Sequence, residues 1–252
     1  MRATWAIARR EFAAYFATPV ALVFIVVFLM LSGVLTFTLG GFFARGQADL
    51  LPFFGFVPWL FLLLVPALTM RLWAEERRSG TIEMLLTLPL APWQAVLGKW
   101  LAAWAFCVLA LALTFPLWIT VNLLGRPDNG AVLTGYLGCA LVAGAYLALG
   151  SAISALTRNQ VIAFVLAVAG CFLFAAAGSP IVADFLSSRL PDLAELARGF
   201  SVAEAARGLS VAEHFAGFVR GVISVPDLVF FTSFIAFWLF ATAVIVELRK
   251  AD

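Results

Sequence analysis

The chain has 252 residues, 64% hydrophobic and only 12% charged, with a formal net charge of +2 and a mean hydropathy of +1.06. Soluble globular domains average about 45–50% apolar and about 25% charged residues, so this composition excludes one. The near balance of 16 basic and 14 acidic residues also gives no ground for nucleic-acid binding.

Charged residues divide the chain into six charge-free runs, 12–44, 50–70, 100–125, 129–157, 159–183 and 228–246. Each approaches or exceeds the roughly 20 residues that a helix needs to cross a bilayer, where no water satisfies backbone polar groups. The fold expected is all-α: a single polytopic membrane domain over 1–252, with spans at about 19–41, 51–71, 99–124, 131–156, 160–180 and 227–247.

Residues 2–16 should form an interfacial elbow helix. Trp5, Ala8, Phe12, Tyr15 and Phe16 make an apolar stripe at helical spacing, Arg10 and Glu11 fall off it, and Thr18-Pro19 offers a break before the first span. The first apolar run follows Arg9, Arg10 and Glu11 and is far longer than a signal-peptide core, so a retained span is expected. Pro52, Pro58 and Pro66 predict a kinked second span.

The loop after it, from Arg71, carries Ser79-Gly80-Thr81 as a turn with a helix N-cap. Ile82, Leu85 and Leu86 then form a short apolar face, Glu83 suits the positive helix end, and Pro89 stops the helix. A short amphipathic helix beside a charged cluster suits docking to a cytoplasmic partner, although an ordinary positively charged inner loop would also read this way. Trp100, Trp104 and Trp118 in the third span read as aromatic belts. Gly135, Gly138, Gly144, Ala148, Gly150 and Ala152 give the fourth span a close-packing face, a weak pointer to a subunit interface.

Between spans five and six, Ser201-Val-Ala-Glu204 and Ser210-Val-Ala-Glu213 are capping boxes that predict two short interfacial helices. In the second, Val211, Phe215, Phe218, Val219 and Val222 share one face and Arg220 lies opposite. His214 is the chain's one histidine.

Lysines and arginines set the orientation. With the N-terminus inside, ten lie on the cytoplasmic side and six outside, which places both termini in the cytoplasm. Cys107, Cys139 and Cys171 lie in apolar runs without metal-ligand spacing, and no G-x-x-x-x-G-K-[ST], H-E-x-x-H or G-x-S-x-G motif occurs. No catalytic residue, metal or cofactor is expected in this chain. The absence of charge deep in any run speaks against an ion-coupled carrier. A carrier or channel for apolar or amphiphilic substrates, and a membrane-embedded lipid-acting enzyme, are the alternative classes.

The stretch Glu76-x-x-x-Gly80-Thr81-Ile82-Glu83-x-Leu85-Leu86-x-x-Pro89 resembles the first cytoplasmic loop of type-2 ABC exporter permeases. His214-Phe215-x-x-Phe218-x-Arg220-Gly221-Val222-Ile223, with Asp227 beyond it, resembles the gliding-motility-associated (GldF-like) branch, although Ser224 and Val225 stand where an acidic residue is usual. The resemblance implies a six-span half-transporter of the bacterial inner membrane that pairs with a second copy or close paralogue. ATP would be bound by a separate P-loop ATPase subunit, and some relatives add a membrane-anchored extracytoplasmic subunit. It also implies that Glu76, Arg78, Gly80, Thr81, Glu83, Leu85, Leu86 and Arg158 contact the ATPase. His214, Phe215, Phe218 and Arg220 would form an outer gate or partner contact, and substrate would pass along a dimer interface lined by spans two and five.

Overall fold

Charge-free runs become helices because a helix alone satisfies its own backbone in lipid. The computed structural model describes residues 2–80, 91–179 and 207–248. Its helices are α1 (Arg2–Phe16), α2 (Pro19–Val34, continued by a π turn over Leu35–Leu39), α3 (Leu51–Leu72), α4 (Ala74–Ser79), α5 (Pro92–Ala112), α6 (Phe115–Leu124), α7 (Asn129–Leu156), α8 (Gln160–Ala176), α9 (Val211–Val219) and α10 (Val225–Leu248). Five helical stretches are long and apolar enough to cross a membrane, and α8 adds a sixth apolar helix of 17 residues. The expected all-α polytopic plan is the one found.

Several boundaries differ from expectation. The third span's helix begins at Pro92 rather than near 99, with Pro92 in the first turn where its missing N–H costs nothing. It breaks at Leu113–Thr114, just before Pro116. Pro58 and Pro66, by contrast, lie within a single continuous helix, α3. The last helix starts at Val225 and ends at Leu248.

α7 is the hub, packed against α3, α5, α8, α9 and α10. Its glycines are spent on these contacts within the chain, each on a particular neighbour. An added Cβ would stand 2.5 Å from Phe54 at Gly135, 2.7 Å from Phe218 at Gly138, 3.2 Å from Ile235 at Gly144 and 2.3 Å from Thr69 at Gly150. The small-residue face thus brings helices of one subunit together. Trp100 and Trp104 also turn inward rather than forming a belt. Their indoles stack on each other and donate to the Gly144 and Ala140 carbonyls of α7 at 3.0 and 2.9 Å, because an indole N–H inside a bundle needs an acceptor.

α1 leans along α5, meeting it at Gly98, where a Cβ would lie 2.9 Å from Ile7, and again where Tyr15 stacks on Phe106 at 5.1 Å. The buried side is Thr4, Ile7 and Ala8, with Glu11 and Tyr15 following at helical spacing, while Trp5 and Phe16 are exposed. The expected stripe is therefore rotated, and Glu11 falls on the packed side.

Candidate functional site

At the end expected to face the cytoplasm, the inner end, α3 passes into α4 through Trp73, which is fully buried. The backbone N–H groups of Trp73 and Ala74 both donate to Ser154 Oγ at 3.2 Å, and the Trp73 indole donates to Ser151 Oγ at 3.0 Å. Arg77 Nη1 donates to the Ala155 carbonyl at 2.6 Å. These four bonds fix the start of the loop after α3 to the last two turns of α7. Gly80 then ends α4 at φ +73°, a left-handed conformation that favours glycine, so the expected turn is present. Thr81, Glu83, Leu85 and Leu86 lie outside the described residues. Arg78 is exposed in the last turn of α4, and Arg158 is exposed in the short link from α7 to α8, where the Asn159 side chain caps α8. α4 packs against both α7 and α8, so the two expected cytoplasmic contacts occupy the same end of the bundle.

Sequence reasoning missed the group that ties this end together. Lys99, two turns into α5, is only 3% exposed. Its Nζ lies 2.7 Å from Glu76 Oε1 of α4, 3.5 Å from Glu11 Oε1 of α1, and 5.5 Å from the centroid of the Trp73 ring. One cation therefore joins three segments far apart in sequence. Burial disfavours the Glu11 carboxylate, but the Lys99 charge and the Arg10 hydrogen bond and charge outweigh it and hold its pKa below the ordinary 4.5. A groove of mixed character, with Glu11, Arg71, Glu75, Glu76 and Lys99 beside Tyr15, Leu68 and Leu72, lies alongside. The available signal was a lysine on an otherwise apolar helical face, where a desolvated cation needs a counter-ion.

At the opposite end, expected to face outward and so the outer end, Ser210 caps α9 as its box predicts, accepting from the Glu213 N–H at 3.4 Å. The first box, at 201–204, lies outside the described residues. The apolar face of α9 is turned to α7 rather than to lipid. Phe215 and Phe218 are buried against Gly138, and Thr134 Oγ1 donates to the Phe218 carbonyl at 2.7 Å. Val222 leaves that face and is exposed. His214 bonds through Nδ1 to Asp227 Oδ1 at 2.7 Å and stacks on Phe230 at 4.0 Å, while Ser224 donates to the other Asp227 oxygen at 2.5 Å. Gly221, at φ +83°, makes the turn into α10. Of the four expected outer residues, then, His214, Phe215 and Phe218 seat α9, and Arg220 alone is exposed.

The described residues thus form a bundle of apolar helices long enough to cross a membrane, with the loop after α3 pinned to α7. The family model described as ABC-2 family transporter protein matches residues 45–246, and the chain belongs to that family. It is accordingly a non-catalytic membrane subunit of an ABC transporter. Comparison with curated proteins returned no match.

Proposed function

We propose that this chain is one half of a dimeric ATP-driven exporter of the bacterial inner membrane, coupled to a separate P-loop ATPase through residues 76–88 and Arg158. The observation that carries the reading is Lys99, which links α1, α4 and α5 at the base of the loop. A displacement of the loop would be passed through Glu76 to α5, and through Lys99 and Glu11 to α1. ATP is bound by the partner, and this subunit holds no cofactor. Six crossings place both termini in the cytoplasm, in keeping with ten basic residues on that side against six outside. Placement in the gliding-motility-associated branch rests on the 214–223 stretch. An extracytoplasmic accessory subunit would meet the outer face beside α9.

The test is co-purification with the ATPase and its stimulation in reconstituted vesicles. Glu83→Arg and Arg78→Glu should weaken association or uncouple hydrolysis, only in part, because an exposed charge pair contributes about 0–1 kcal/mol. Unchanged association together with unchanged stimulation in the double variant would contradict the docking assignment.

A further inference from the structure

Under α9, between α3 and α8, lies a cavity of about 380 Å³, within the range of roughly 300–1,000 Å³ typical of small-molecule sites. Its wall is largely apolar and includes Phe54, Trp59, Leu62, Tyr146, Phe215 and Val219. Along α3 the lining runs from Leu51 to Leu62, eleven steps of 1.5 Å, or about 16 Å. That is about half of a hydrocarbon core roughly 30 Å thick. Arg220 is the sole charged residue among the described residues that line it. Arg220 Nε donates to the Ala216 carbonyl at 3.2 Å, and among the described residues no carboxylate pairs with the guanidinium.

A long apolar slot lined by one cation, which no described carboxylate pairs, matches one ligand chemistry. We infer that the cavity binds an anionic amphiphile, its hydrocarbon chain along α3 and its anionic head on Arg220, and that this is the class of molecule the transporter handles. The inference rests on the permease reading for the use of the site, though not for the binding itself. A small free anion would engage Arg220 but leave the slot empty. A neutral amphiphile would fill the slot but leave the guanidinium unpaired. Gly55 supplies a probe of the slot alone: it lines the cavity, and a Cβ added there meets nothing within 4 Å.

The experiment uses the purified full chain in discs of unlabelled phosphatidylcholine, titrated with phosphatidylglycerol brominated on its acyl chains. Brominated phosphatidylcholine is the neutral control, and a Trp59→Phe protein isolates the fluorescence of Trp59. The anionic lipid should quench Trp59 at about a tenfold lower mole fraction than the neutral one, the factor a charged hydrogen bond supplies. Arg220→Gln should abolish that preference, Arg220→Lys should keep part of it, and Gly55→Leu should remove it by filling the slot. Equal quenching by the two lipids in the wild type, or a preference that survives Arg220→Gln, overturns the inference. Failure of the ATPase to associate would instead overturn the proposed ATPase coupling and leave the binding result standing.

Discussion

The two ends of the bundle are each closed by a short helix, and the chemistry that fastens them differs. α4 at the inner end is held by directional polar bonds: Ser151, Ser154 and the Ala155 carbonyl on one side, and the Lys99 ion pair on the other. α9 at the outer end is seated mainly by shape, with Phe215 and Phe218 over Gly138, and by separate polar bonds, His214 to Asp227 and Thr134 to the Phe218 carbonyl. Buried polar networks are specific and costly to leave half-made, whereas apolar contact is non-directional and tolerates sliding. In the function proposed above, the inner end would move as a unit and pass on a displacement, while the outer end would reseat beside a cavity.

Variants that strike one end and spare the other break this comparison. The largest effect is expected from Lys99→Met, which leaves Glu11 and Glu76 without their shared cation. Losing one partner of a buried pair costs about 3–5 kcal/mol, and the low end applies because the two carboxylates remain about 20% exposed. Thermal unfolding in detergent should show a large drop, relieved in part by adding Glu76→Gln. Gly138→Leu should come next, at about 1–3 kcal/mol for overpacking, since even a Cβ would lie 2.7 Å from Phe218. Limited proteolysis near 207–224 should then accelerate while cleavage near 71–80 does not. His214→Ala should cost about 1.5 kcal/mol, the low end of the worth of a hydrogen bond to a charged group, and should also loosen only the outer end.

A smaller effect is expected with acid. The Glu11 carboxyl is held below its ordinary value in the folded protein, so its contribution is complete above 4.5 and is lost as pH falls through the lowered folded value. The difference in melting temperature between wild type and Glu11→Gln should therefore be widest near neutral pH and close on acidification below 4.5. A difference independent of pH would show that Glu11 acts through packing alone.

The helical plan was legible because charge and apolarity alternate in long blocks, and a membrane leaves few alternatives to a helix. The Ser210 cap and the Gly80 turn were legible because each is decided within a few residues. The face of α1 was not, because a periodicity count assigns a carboxylate to solvent, while Glu11 is turned inward by Lys99, a partner in a distant segment. Trp100 and Trp104 mislead for a related reason. Position along a span predicts an interfacial belt, but the carbonyls that accept their N–H groups belong to α7 and become visible only once the helices pack. The glycines of α7 announced close approach without naming the neighbour.

The claim that Lys99 fastens α1, α4 and α5 into one inner unit is tested most directly by hydrogen–deuterium exchange on wild type and Lys99→Met in lipid discs. The account predicts faster exchange in α1 and α4 together in the variant, with α9 unchanged. Faster exchange in α5 alone, or an equal rise in α9, would contradict it.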